Sequence, residues 1–222
     1  PEGLTYLLLV GDAAQVPTNS GGGLGGDSDN AYAYITGNDH YLEFFVGRFS
    51  AESAADVETQ VERTLIYENG NDLASGWLNK AMGVASNQGP GDDNEYDYEH
   101  VRNMDADLIA FTYEAPSYEM FDGSQGGNDA PGDPTPTMVG DAIDAGVGLI
   151  NYTGHGSTTS WGSSGYSNSN IASLTNVKML PFIWSVACVN GNFVGTTCFA
   201  EAWLRAQSGG EPTGAVAVFM ST

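Results

Sequence analysis

The chain has 222 residues, 41% of them apolar and 30 of them glycine, which suits one sizeable folded domain with many tight turns. Its 28 acidic residues face 6 basic ones, a formal net charge of -22, which argues against nucleic-acid binding and against an anionic membrane surface. No apolar run reaches the roughly 18 residues of a membrane span, and two cysteines, Cys188 and Cys198, are too few for a disulfide scaffold, although they could pair with each other.

The acidic excess fits a solvated surface, an extracellular or salt-adapted protein, or one that binds hard cations through carboxylates. The chain opens at Pro1, so any targeting segment lies outside the sequence.

In chain order, the apolar run from Thr5 to Val10, closed by Gly11-Asp12, predicts a buried parallel strand. A Gly/Ser/Asp-rich loop covers 17–30, then short strands are expected at Tyr32–Ile35 and Leu42–Val46 around Gly37-Asn38-Asp39 turn chemistry. Ser50 can cap a helix running to Glu68, whose Val57, Val61 and Leu65 form one apolar stripe. Ala81–Ala85 reads as a buried strand, Asp92 to Met104 as an acidic run entering a helix, and Leu108–Tyr113 as a strand. After a Gly/Asp/Pro-rich loop over 121–136 come a helix from Met138 to Ala145, a strand at 147–154 and a short helix at Ile171–Leu174. A strand at 181–187, a helix from Phe199 to Gln207 and a strand from Ala215 to Met220 complete the chain. Strands alternating with helices predict a mostly parallel sheet with helices on both faces, an α/β fold.

Two of these strands end in reactive side chains: VGLINYTG runs into His155, between Gly154 and Gly156, and LPFIWSVA runs into Cys188. Ligands and chemistry gather beyond the carboxyl ends of parallel strands. One strand–helix–strand unit therefore delivers an imidazole and a thiol to one sheet edge. A thiol with a histidine base beside it is a nucleophile. The N–H groups of Gly156 and Cys188 are natural donors to a developing oxyanion. The segment GNDHYLE offers oxygen ligands at alternating positions, with Asp39, Glu43 and the Tyr41 carbonyl forming a hard set suited to calcium.

INYTGHGSTTSWG, LPFIWSVACVNGNF and TCFAEAWLRAQ resemble the gingipains, cysteine endopeptidases with a caspase-like fold, nearest to the arginine-specific members. YLLLVGD, ITGNDHYLEFFVGRFSAES, VASNQG and PTGAVAVFMST resemble the same family in the same order, so the likeness spans nearly the whole chain. It implies a three-layer α/β/α sandwich with a mostly parallel sheet. It also implies that residues 1–222 are a catalytic domain lacking its C-terminal part, which is expected to continue beyond Thr222 in another chain or in a removed segment. By the same resemblance Cys188 is the nucleophile and His155 the general base and acid. Asp97 would be the S1 carboxylate that pairs with a basic P1 side chain. Gln88 stands where the arginine-specific members carry a glutamate near the histidine. Structural calcium is implied at Asp39, Tyr41 and Glu43, with Asp92 or Asp93 at a second site. The implied protein is secreted or at the surface of a bacterium and acts on protein or peptide substrates. A sortase-like transpeptidase of the same family and an inactive binding module are the alternatives.

Overall fold

The computed structural model describes residues 3–20, 26–70, 76–91, 94–111, 113 and 118–222. Its main elements in chain order are β1 (Tyr6–Val10), β2 (Phe45–Phe49), α1 (Ala54–Asn69), β3 (Ala81–Ala85), α2 (Asp97–Ala110), β4 (Tyr118–Phe121), α3 (Pro136–Asp144), β5 (Leu149–Thr153), α4 (Asn168–Ile171), β6 (Phe182–Val186), α5 (Phe199–Arg205) and β7 (Ala217–Met220). Five strands form one wholly parallel sheet in the order β7-β6-β5-β3-β4. Helices lie on both faces, giving the expected three-layer α/β/α arrangement.

The core is asymmetric. Beneath one face, α3, α4 and α5 enclose a large cluster that includes Ile150, Tyr152, Trp161, Ile183, Phe199 and Trp203. Burying each such side chain contributes roughly 1.5–3 kcal/mol. On the other face α2 lies against β3, with Val101, Ala85 and Phe121 in contact. Gly83 permits that close approach, because a Cβ there would stand 2.6 Å from a Val101 methyl.

Several expectations shift. Tyr6–Val10 is a parallel strand, but it pairs with β2 in a separate two-stranded sheet, and Tyr6, Leu8 and Val10 are exposed. Tyr32–Ile35 is not a strand: Asn30–Ala33 forms a 3-10 turn, held by local backbone bonds such as Tyr32 N–H to Asp29 C=O. The strand expected at Leu42–Val46 begins later, at Phe45, where pairing with β1 starts. Leu108–Tyr113 is not a strand either, because α2 continues through Ala110 and leaves Phe111 78% exposed.

The cap of α1 is Ser53, which forms a reciprocal capping box with Asp56, and Gly70 ends the helix in the left-handed region. Ser50 is instead buried, its hydroxyl donating to Glu201 Oε1 at 2.5 Å. The periodic stripe of α1 faces outward, with Val61 43% and Leu65 52% exposed. The inward face carries Thr59, Gln60 and Arg63. Arg63 donates to the carbonyls of Trp203 and Ala206, where the end of α5 needs donors, and to that of Ala215 just ahead of β7. A polar residue with three fixed acceptors thus takes the position that periodicity assigned to valine and leucine.

Candidate active site

β5 and β6 are adjacent and parallel, with Thr153 opposite Val186. His155 and Cys188 each follow that register pair by two residues, so both emerge at the same carboxyl edge. The strand ends are laced together by Gly154 N–H donating to Val186 C=O at 3.1 Å. Both side chains are exposed and line one cavity of about 640 Å³. Gln88, Asp97, Trp184, Val186, Phe219 and Ser221 also line it.

The histidine loop is pinned from below. The Tyr152 hydroxyl donates to the His155 carbonyl at 2.6 Å and accepts from the N–H groups of Gly162 and Ser163. Its ring lies flat on Trp161, with centroids 4.6 Å apart. Gly162 N–H donates to the same His155 carbonyl at 2.7 Å. After His155 the chain turns through a short hairpin, Gly156–Ser157 against Ser160–Trp161.

The cysteine loop is equally constrained. Val189 has φ 51, a left-handed conformation that a β-branched residue adopts only under constraint. The Ser221 hydroxyl donates to the Ala187 carbonyl, and Gly191 N–H donates to the Ser221 carbonyl at 2.7 Å. Gly191 has no room for a side chain, since a Cβ would stand 2.6 Å from the Met220 carbonyl oxygen. The two loops meet at Gly156, where a Cβ would lie 2.8 Å from Ala187 Cβ and 3.1 Å from the Cys188 carbonyl oxygen. Glycine is required there by this close approach.

Asp97 opens α2, its N–H donating to the Gln88 carbonyl at 2.9 Å and its carboxylate accepting from the Ser86 hydroxyl. Ser86 directly follows β3, so Asp97 hangs over the same sheet edge. It is half-buried, whereas Gln88 is exposed. Asp122, just past β4, has its carboxyl pKa raised mainly by burial and further by the nearby charges of Asp133 and Asp97, while a Ser163 hydrogen bond opposes the shift. The field on this side of the cavity is negative, which favours a cationic guest.

Both cysteines are free: Cys188 is exposed and Cys198 buried, so they do not pair. Burial pushes the Cys198 thiol up to about 12, which leaves it an inert core thiol.

The proposed calcium residues lie far along the chain from this cavity. Asp39 Oδ1 accepts from the Tyr41 N–H at 3.0 Å, and Glu43 Oε2 accepts from the Ile35 N–H at 2.8 Å. Among the described residues no three His, Cys, Asp or Glu side chains gather as a metal site. Asp92 and Asp93 lie outside the described residues.

Sequence patterns pointed to the residues that end the strands. They do not single out Tyr152 or Ser86, which hold those residues from beneath. A tyrosine within an apolar strand and a serine just past a strand end are the only available signals, and both occur routinely in cores and turns.

Comparison with known proteins agrees with the geometry. The family model for peptidase family C25 matches residues 1–222. The chain is 45% identical to Gingipain R2 of Porphyromonas gingivalis over 222 residues, covering 99% of this chain and 28% of that protein. It is 26% identical to Lys-gingipain from the same species over 208 residues, covering 92% of this chain and 11% of that one. The crystal structure of the Arg-specific cysteine proteinase gingipain R superposes with a TM-score of 0.86 at 43% identity, over 98% of this chain and 49% of that one. A complex of Porphyromonas gingivalis RgpB pro- and mature domains gives 0.88 at 43% identity, over 99% of this chain and 50% of that one. This sequence thus spans about half the length of the solved relatives it matches. With the fold, the register of the His and Cys loops and the family match over residues 1–222 in agreement, the chain belongs to peptidase family C25.

Proposed function

We propose that the protein is a secreted cysteine endopeptidase that cleaves after basic residues. The observation that carries this reading is the shared cavity: the exposed Cys188 thiol, the exposed His155 imidazole and the Asp97 carboxylate line it together. The name of the relative described as an Arg-specific cysteine proteinase supports the same substrate class.

In this reading the Cys188 sulfur attacks the scissile carbonyl carbon and His155 accepts the thiol proton. The carbonyl oxygen becomes an oxyanion that accepts hydrogen bonds from the N–H groups of Gly156 and Cys188. Collapse of the tetrahedral adduct breaks the C–N bond, and His155 passes its proton to the departing amine. Water, deprotonated by His155, then hydrolyses the thioester and regenerates the thiol. Asp97 pairs with the P1 guanidinium or ammonium, so a neutral P1 residue leaves its carboxylate unpaired. Gln88 occupies the third position on the cavity rim, where it can orient the imidazole by hydrogen bonding but cannot supply charge.

The test is cleavage of a peptide library by the parent protein, Cys188→Ala and Asp97→Ala. Cys188→Ala is expected to lose all turnover. Asp97→Ala is expected to lose its preference for Arg and Lys at P1 by roughly 100-fold or more. An unchanged P1 profile removes Asp97 from the specificity pocket, and turnover without Cys188 removes the mechanism.

The calcium reading rests on the resemblance and on the donor set. Asp39 and Glu43 each commit one carboxylate oxygen to a backbone N–H, which leaves the other for a hard cation beside the Tyr41 carbonyl. Such an ion would fix the loop that leads into β2. Chelation with EGTA is expected to lower the melting temperature of the parent and to leave that of Glu43→Gln unchanged. Equal shifts in both proteins would remove calcium from this loop.

A further inference from the structure

The two proposed oxyanion donors come from different loops, Gly156 from the loop after β5 and Cys188 from the loop after β6. Their separation is set by whatever joins those loops, and donors must be held to within roughly 0.5 Å to be effective. We propose that Asn190 is the positioning residue that sets it. This inference rests on the peptidase reading.

Asn190 is fully buried, two residues after Cys188. Its Nδ2 donates to the Ser157 carbonyl at 2.6 Å and to the Ser160 carbonyl at 3.1 Å, gripping both arms of the hairpin that begins at Gly156. Its Oδ1 accepts from the Ser185 hydroxyl at 3.0 Å, and Ser185 in turn accepts from Trp161 Nε1 at 3.0 Å. Its backbone carbonyl accepts from Ala200 N–H at 3.0 Å, which ties the cysteine loop to α5. The Asn190 amide also sits where a Gly156 side chain would be, 2.9 Å from that ideal Cβ. Both hydrogens and the oxygen of one side-chain amide are thus committed in a buried site, and the strained Val189 lies between it and the nucleophile. The amide cannot rotate without breaking several bonds, so the two loops share one register.

Asn190→Asp keeps the shape and the acceptor for Ser185 but turns a carboxylate oxygen onto two carbonyl oxygens, driving the hairpin away from Cys188. Turnover of a peptide with Arg at P1 is compared with alkylation of the Cys188 thiol by iodoacetamide, which needs no oxyanion hole. Cys198 is buried, so alkylation of the folded protein reports Cys188. The expected result is a fall in kcat of about 100-fold, KM within about twofold and alkylation within about threefold of the parent. Ser185→Ala, which removes the donor that anchors the amide oxygen and so loosens the side chain, serves if Asn190→Asp does not fold. It is expected to lower kcat about 10-fold with alkylation of the folded protein within about threefold of the parent, and with a somewhat lower melting temperature because Trp161 Nε1 also loses its acceptor. Unchanged kcat, or turnover and alkylation falling by the same factor, overturns the inference while parent turnover stands. A parent with no Cys188-dependent turnover overturns the peptidase reading, and the inference with it.

Discussion

His155 can serve as a base only if its backbone is fixed, and the Tyr152 hydroxyl is the strongest clamp on it. That hydroxyl meets one carbonyl and two N–H groups around the histidine loop. Tyr152→Phe keeps the stack on Trp161 and removes only the clamp. The expected cost is about 1–2 kcal/mol of stability, because the N–H groups of Gly162 and Ser163 lose an acceptor. Turnover is expected to fall roughly 10-fold, since small displacements of a catalytic group are costly. Denaturant midpoints and kcat measured on the same preparation check both numbers, and an unchanged kcat would show that the Gly162 N–H holds the loop alone. His155 and Cys188 stand out in the sequence as strand-end residues because each follows an apolar run. Tyr152, Ser86 and Asn190 do not, because their roles depend on which loops the fold brings together, and a local window carries no such information. Asp39 and Glu43 stand out in the sequence only as an alternation of oxygen donors, which does not reveal that each carboxylate accepts from a backbone N–H.

At the scale of elements, four of the five strands of the central sheet are legible as apolar runs bounded by turn residues, as at Ala81–Ala85 and Phe182–Val186, whereas β4 at Tyr118–Phe121 is a strand the sequence does not announce. The misreadings came where burial and polarity part company. On α1 the apolar period was read as the inner stripe, whereas Arg63 faces inward. Its guanidinium is held only by carbonyls, and desolvation lowers its pKa to about 9. Arg63→Ala leaves the carbonyls of Trp203, Ala206 and Ala215 without that donor and is expected to cost roughly 3–5 kcal/mol in urea unfolding. A cost below 1 kcal/mol would show that water replaces the guanidinium. α2 shows the same conflict. Asp105 is 4% exposed on its buried side, its Oδ2 has no hydrogen-bond partner, and its pKa is raised to about 7. Burial is the main cause; Glu119 raises it further, and Arg102 opposes. The ordinary value is 3.8, so between about 4 and 7 the folded protein keeps a proton that the unfolded chain has lost. That contribution to stability therefore declines as pH rises through this window and is flat above it. Asp105→Asn removes the titration. Relative to the parent it is expected to gain on the order of 2 kcal/mol between pH 5 and pH 8. Parallel pH profiles of the urea midpoint for the two proteins would show that Asp105 ionises freely in the fold.

The whole molecule carries a charge of -22, and that excess competes with a small set of well-placed cations. Arg48 pairs with Asp29 at 2.6 Å, and Arg102 pairs with Glu119 at 2.7 Å. Arg205 reaches Glu201 at 2.7 Å, Glu52 at 2.8 Å and Asp12 at 3.6 Å. Arg48 and Arg205 also join the β1–β2 sheet to the rest of the protein: Arg48 contacts the Phe193 ring beyond the cysteine loop, and Arg205 bonds the Ser50 carbonyl. Added salt acts on both sides of this balance. It weakens ion pairs, but the Arg48–Asp29, Arg102–Glu119 and Arg205–Glu201 pairs are short and largely shielded from water, so screening affects them little. It also weakens the repulsion among the carboxylates, which far outnumber the cations. Most of those carboxylates lie on the surface, where screening over a Debye length of about 10 Å at 0.1 M is most effective. The repulsion is the larger quantity because 28 acidic residues face 6 basic ones. The melting temperature is therefore expected to rise by several degrees between about 20 and 300 mM NaCl. KCl should give the same gain, as nonspecific screening requires. A flat or falling melting temperature would mean that the Arg48 and Arg205 bridges dominate and that salt loosens the β1–β2 sheet first.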